Sequence, residues 1–250
     1  MSPIDSDEVK WEVAVQLSKR LQAVANLVGE TGVVADVGTD HGYIPVFLIS
    51  SGKAERAIAM DVNVGPLARA QEHIRQFGLE GQIESRLSDG LSALQPGEAQ
   101  SIVIAGMGGA LMARILADGQ DIAHTAERLV LQPQSELFFF RQFLAGHGYR
   151  IVEEDMVYED GKYYSMMAVE PVSRGAGDDL REMTEAELRY GPLLLAQNHP
   201  ILHRYLLRQR EQKQKILENL GKNARQDVSE REAVVAKELR EIENILGHDL

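Results

Sequence analysis

Apolar positions along the chain change period repeatedly, and the changes define its elements. Val13, Leu17, Leu21, Val24 and Val28 recur at helical spacing, predicting an amphipathic helix that leads through Gly32 into an apolar strand, Val33 to Val37. A helix after Gly42, a strand AERAIAMD, a helix from Pro66 to Phe77, a short strand near IESRL and a strand SIVIAG then alternate. They are followed by a helix from Gly109, a strand RLVLQ, a helix from Ser135 to His147, and two late strands, YRIVEEDMVYE and KYYSMMAVE. Strands alternating with helices make βαβ units, so a mainly parallel sheet with right-handed crossovers is expected. The last two strands flank Asp160-Gly161 and read as a hairpin closing one edge of the sheet.

The small, polar segment SRGAGDD (residues 173–179) ends this pattern, dividing the chain into an α/β domain, 1–173, and a helical domain, 178–250. A helix beginning after His199-Pro200 can run to Leu220 with Leu202, Leu206, Ile216 and Leu220 apolar, and Gly221 fits its stop. Ser229 and Glu232 form a capping box for another helix, in which Val235, Leu239, Ile242 and Leu246 step by four, three and four. Joined by KNARQDV, the two predict an antiparallel coiled-coil hairpin.

Composition narrows the classes. At 250 residues the chain can bury a substantial core, and with no cysteine it has no disulfide, thiolate metal site or cysteine nucleophile. The polar start MSPIDSDEVK and the aromatic run LFFFRQFL, broken by Arg141, suit neither export nor a membrane span, so a cytoplasmic protein without a membrane partner is expected. The net charge of −12 is uneven: residues 1–177 carry 14 basic against 24 acidic side chains (net −10), and 178–250 carry 12 against 14 (net −2). Between Ile201 and Arg225 the sign reverses, with Arg204, Arg208, Arg210, Lys213, Lys215, Lys222 and Arg225 against Glu211 and Glu218, a local +5. Such a stripe can meet a polyanion even on an acidic protein.

The chemistry concentrates in DVGTDHGY (residues 36–43), the first βα loop, which in doubly wound sheets lies where ligands bind. Gly38 and Gly42 suit close backbone approach, but Asp40 stands where a dinucleotide loop wants its middle glycine, and Asp36 adds a second carboxylate. Two carboxylates repel a pyrophosphate and favour S-adenosylmethionine, which carries a sulfonium and an ammonium group. Asp61, ending the second strand, stands where ribose hydroxyls are met; SDG (88–90) and IAGMGG (104–109) follow at the ends of the third and fourth strands.

The stretches DVGTDHGYIP, AIAMDVNVGPLARA, Asp89-Gly90, IAGMGG, LVLQP and GKYYSM, with LSKRL near the start, together resemble the bacterial tRNA (adenine(22)-N1)-methyltransferases. Two positions depart from that pattern: Gln134 stands where asparagine is expected, and Asp61 where glutamate is more usual. The resemblance implies a class I Rossmann-like methyltransferase sheet with a C-terminal helical hairpin, acting with S-adenosylmethionine on adenine N1 at position 22, in the D-arm region of tRNA. It places Asp36, Gly38, Thr39, Asp40, Gly42, Asp61, Val62, Asp89, Gly90, Ala105, Gly106 and Gly108 around the cofactor, and Asp40, His41 and Met107 at the transfer step.

Asp40 has two candidate roles, accepting from the adenine N6 amino group or binding the methionine ammonium of the cofactor. Arg20 is a candidate for the methionine carboxylate, although an exposed helix arginine is the simpler reading. His199 and His203 flank Pro200 without a third ligand, so no metal is expected. Tyr163 and Tyr164 could turn one ring toward the target base. The basic stripe is either a solvated face of a structural or dimerising arm, or a grip on tRNA that presents an extruded base, and the chain a monomer or weak homo-oligomer. Two further readings stay open: methylation of a small molecule, and a non-catalytic nucleotide-binding module whose arm associates with protein.

Overall fold

A computed structural model describes residues 15–172, 182–222 and 229–247. The expectations placed on Val13, on the SRGAGDD boundary, on most of the KNARQDV connection including Arg225, and on the side chains of Lys222 and Ser229 lie outside the described residues. One seven-stranded sheet organises the rest. Its strands are β1 (Thr31–Val37), β2 (Ala54–Asp61), β3 (Ile83–Leu87), β4 (Ser101–Met107), β5 (Arg128–Pro133), β6 (Tyr149–Glu159) and β7 (Lys162–Pro171), in the spatial order β3-β2-β1-β4-β5-β7-β6. The first five are parallel, and β7 runs antiparallel to both β5 and β6. Asp160 and Gly161 both take positive φ, 49° and 79°, as a two-residue hairpin turn between twisted strands requires.

Alternation along the strands gives each face its own core. Ala35, Val37, Ile58 and Met60 pack with α4 (Gly109–Asp118) and α6 (Leu137–Gly146), the short α5 (Gln120–Ala123) capping that side. Val34, Ala57 and Ala59 pack against α1 (Lys19–Val28), α2 (Tyr43–Ser50) and α3 (Val64–Gln76). The first helix starts later than the apolar spacing predicts, because Ser18 caps it, its hydroxyl accepting from Leu21 N, so that Leu17 precedes the helix. The Glu159 carboxylate at the end of β6 accepts from Lys19 N at 2.6 Å and from Arg20 N at 3.1 Å, which fixes the start of α1 against the hairpin tip.

The helical segment comprises α7 (Glu185–Tyr190), α8 (Pro192–Ala196), α9 (Pro200–Lys222) and α10 (Ser229–Gly247). Leu202 and Leu206 near the start of α9 share a cluster with Ile242 of α10, while Lys213 pairs with Glu238, so the two long helices run antiparallel as a hairpin. Two details differ from the sequence pattern. Ile216 is partly open to solvent, and the helix continues through Gly221.

This segment is joined to the sheet by a buried ion pair. Arg141, placed by α6 in full burial, sets Nη2 and Nε 3.0 and 3.1 Å from Glu154 of β6. Its remaining N–H groups donate to the Ser165 hydroxyl on β7 and to the carbonyls of Leu188 and Arg189 at the end of α7. Glu154 in turn accepts from Leu193 N and Leu194 N of α8. Gly191 makes this approach possible: its φ of +104° is glycine territory, and a Cβ there would lie 2.6 Å from the carboxylate.

Removing one partner of such a pair strands the other charge without water. Arg141→Met should therefore destabilise the fold by about 3–5 kcal/mol, and Arg141→Met/Glu154→Gln should recover a large part of that loss, both read by urea denaturation.

Candidate functional site

Strand order reverses between β1 and β4, and a cleft of about 680 Å³ opens there beyond the carboxyl ends of the strands. The β1 loop enters it through Gly38, whose φ is +77° and whose missing side chain leaves room for the Met107 methyl; a Cβ at that position would collide with it. Gly38 N and Thr39 N both donate to Met60 O at 2.8 Å, so β2 holds the loop in place.

Ten of the sequence-derived residues line this cleft. Asp36, Gly38 and Asp40 come from β1 and its loop, Asp61 and Val62 from β2, Asp89 and Gly90 from β3, and Ala105, Gly106 and Met107 from β4. Thr39, His41, Gly42 and Gly108 are not part of the lining. Gly42 instead begins α2 against Ala70, and Gly108 begins α4 beside Ser135. His41, with φ +62°, stacks its ring on Tyr43 at 5.4 Å and puts Nε2 3.6 Å from Asp40.

Electrostatically the cleft holds more carboxylate than it balances. Asp36 is buried, and burial, reinforced by the nearby Asp61 charge, pushes its carboxyl up to about 6. Asp61 is also buried and accepts from Asn63 N through Oδ1 at 2.7 Å. Asp40 is mostly exposed and meets Arg69 at 2.8 Å. Val62, more than half exposed, adds an apolar rim.

Arg20 and Gln134 also line the cleft, as do Leu111 and Arg114, to which the sequence assigns no site role. Arg20 is part-buried in the cleft, donating from Nη1 to the Gln132 side chain at 2.9 Å and lying 5.7 Å from the Tyr164 ring. Helical spacing alone puts such an arginine on the outside; its capture depends on Glu159 at the helix start and Gln132 on β5, which no local pattern reveals. Gln134 lines the cleft where its backbone N donates to Met107 O at 2.8 Å. Ser88 acts within its own turn, donating to Gly90 O and accepting from Ala93 N.

On the arm, Arg204, Arg208 and Lys215 follow one face of α9 at steps of four and seven. Arg204 lies 4.5 Å over the Tyr158 ring, and Lys213 is engaged with Glu238 of α10. Among the described residues no group of three or more His, Asp or Glu is placed to hold a metal ion, and no helix is long and apolar enough to cross a membrane.

Comparison with known proteins gives consistent matches. A family described as a methyltransferase domain matches residues 17–167. The tRNA (adenine(22)-N(1))-methyltransferase of Bacillus subtilis is 36% identical over 210 residues, 84% of this chain and 88% of that protein. The structure of Streptococcus pneumoniae Sp1610 in complex with S-adenosyl-L-methionine superimposes with a TM-score of 0.80 at 32% identity, covering 92% of this chain and all of that one. The Mycoplasma capricolum TrmK structure with S-adenosyl-homocysteine gives 0.76 at 26% identity, over 92% and 98%.

Because Asp36 holds its proton more tightly in the folded chain than its ordinary value of 3.8 allows, folding takes up a proton between about 4 and 6. Stability from this group is thus greatest below about 4 and falls as pH rises through about 6, by a total on the order of 3 kcal/mol. Unfolding free energies of Asp36→Asn should lack this decline, as urea titrations at pH 5 and pH 8 will show.

Proposed function

The chain belongs to the bacterial tRNA (adenine(22)-N1)-methyltransferase family, and from that membership we propose how its own residues carry the reaction. It is an S-adenosylmethionine-dependent enzyme that methylates N1 of adenine 22 in tRNA. The observation that carries the reading of the site is the under-neutralised pair Asp36 and Asp61 at the switch point, a setting that favours a cationic ligand and disfavours a pyrophosphate. The residues present fit the methyl donor: carboxylates for its positive groups, Gly38 and Gly106 for close approach, and the open Val62 for an apolar ring.

When bound, S-adenosylmethionine supplies a sulfonium methyl to adenine N1, its sulfur keeping the electron pair of the broken bond while the positive charge passes to the ring. Asp61 would accept from the ribose hydroxyls through the oxygen not held by Asn63, and the Ser88–Gly90 turn would meet the adenine edge. Arg20, anchored on Gln132, would hold the methionine carboxylate, and Asp36 would serve the ammonium. N1 of neutral adenine has a free lone pair, so no base need remove a proton before attack and positioning dominates. A carboxylate accepting from N6 both orients the base and stabilises the developing ring charge, and Asp40, at the open side of the cleft, is assigned this task with His41 beside it. Met107, packed over Gly38, lines the slot in which donor and acceptor meet.

The polynucleotide is held by a different part of the chain. N1 is occupied in a base pair, so the target must be extruded, and the acidic sheet domain offers little to a phosphate backbone. The exposed Arg204–Arg208–Lys215 face supplies the grip, with Arg210, Lys222 and Arg225 as further bases of the same sequence stripe; Lys213 contributes less because Glu238 competes for it. Residues 1–173 thus serve as the cofactor-binding part and 178–250 as the tRNA-binding part, in a monomer or weak homo-oligomer.

The direct test incubates the protein with isotopically labelled methyl donor and unmodified tRNA and identifies the labelled nucleoside by mass spectrometry; label outside 1-methyladenosine would sink the assignment. Asp40→Asn should lower the single-turnover rate at least tenfold while donor affinity, read by calorimetry, stays within a few fold. A weakened affinity would move Asp40 to the ammonium instead. Neutralising Arg208 and Lys215 should weaken tRNA binding and reduce the slope of log affinity against log salt by about 0.7–0.9 per lost phosphate contact, measured across a salt titration.

A further inference from the structure

A second chamber, of about 540 Å³, lies between the tip of the β6–β7 hairpin and α9. The hairpin contributes Lys162, Tyr163 and Tyr164. The helix contributes Tyr205, Arg208, Gln209 and Gln212, at spacings of three, four and seven from the first, which is a single helical face. The tyrosines brace one another: Tyr163 meets Tyr205 edge-on at 5.1 Å and Tyr158 at 4.6 Å, so aromatic surface is held in fixed positions. Opposite them stand amides and a guanidinium, Gln209 donating to Gln212 at 3.2 Å with Arg208 exposed beside them. A wall needed only for packing would be apolar, whereas aromatic rings facing amides and a cation suit a nucleotide, which offers a ring face, polar edges and a phosphate.

Gln134 lines both this chamber and the cofactor cleft, so the two cavities meet at its side chain. Its backbone is fixed by the bond to Met107 O, its amide stands over Gly106 on the cleft side, and its side chain makes no hydrogen bond among the described residues. A carboxamide matches one edge of adenine, its oxygen accepting from N6–H and its NH₂ donating to N7. That pairing leaves N1 unobstructed. Guanine presents an acceptor in place of the N6 amino group and opposes the amide oxygen.

We propose that the tyrosine chamber receives the extruded target adenosine, and that Gln134 selects it by pairing with its N6/N7 edge while N1 faces the cofactor cleft. This rests on the adenine-N1 methylation stated above and adds the place where the base is held and the group that reads it. Arg208 then takes a flanking phosphate, and Gln209 and Gln212 meet the sugar edge.

The test uses two tRNA transcripts, one with adenosine and one with 7-deazaadenosine at the target position, the second lacking the N7 acceptor. The wild type should lose about tenfold in kcat/KM with the deaza transcript, and several fold in affinity for it when saturated with S-adenosylhomocysteine. Gln134→Ala, an exposed position without a folding role, should be slower with adenosine yet distinguish the two transcripts by less than twofold. If the variant discriminates as the wild type does, Gln134 does not read N7 and the proposal fails. Gln209→Ala/Gln212→Ala, away from the cofactor cleft, should weaken tRNA binding with donor affinity unchanged; wild-type kcat/KM and tRNA affinity would remove the chamber from the substrate path. If the wild type methylates adenine 22 but these variants behave normally, only this proposal is overturned, whereas no transfer to adenine 22 overturns the underlying function as well.

Discussion

The ion pair between Arg141 and Glu154 determines where the helical segment stands relative to the sheet. Neither charge reaches water, and such a pair is expensive compared with apolar side chains of the same volume. What it provides is direction. The guanidinium and carboxylate together bond to α6, β6, β7, the end of α7 and the start of α8, so five elements meet at one point with defined geometry. Apolar packing through Met156, Tyr190, Leu194 and Leu202 tolerates sliding; hydrogen bonds to main-chain groups do not. The position of α9 over the hairpin tip, and with it the chamber wall, follows from this junction.

The cleft works by the opposite logic. There, buried carboxyl groups are left without a cationic partner: Asp36 and Asp61 share a small volume, and the first keeps its proton up to about pH 6. An arrangement costly to the empty protein becomes favourable around a cation, so affinity and selectivity against phosphates come from one feature. Close approach comes from Gly38, whose absent side chain is replaced by the Met107 methyl arriving from β4.

The sheet was largely legible in the sequence because its signals are local. AERAIAMD forms β2 over its whole length, Asp160-Gly161 makes the turn its composition demands, and the ligand-lined loops fall at strand ends in the expected order. What could not be read were residues whose meaning depends on distant partners. Arg141 looks like an interruption of an aromatic helix until Glu154 is placed beside it, and Arg20 looks solvent-facing until Gln132, 112 positions away, accepts from it. Ile216 fits the apolar spacing of its helix yet stands partly open to solvent. Gln134 stands out in the sequence only as a departure from the family pattern; that two cavities end at it depends on the fold. Thr39, Gly42 and Gly108, which motif membership puts at the ligand, lie outside the cleft lining, and Gly42 and Gly108 stand at the starts of α2 and α4.

Glu159 has a consequence of its own. It ends the strand that leads into the hairpin tip, and its two carboxylate oxygens hold the first amides of the helix that carries Arg20. The hairpin forms one wall of the tyrosine chamber, and Arg20 forms part of the cofactor cleft. Glu159 thus ties a wall of one cavity to a wall of the other through a single side chain. Any free energy that an occupant of one cavity contributes to binding in the other is returned in equal measure when the order is reversed, so this coupling by itself favours neither order of arrival.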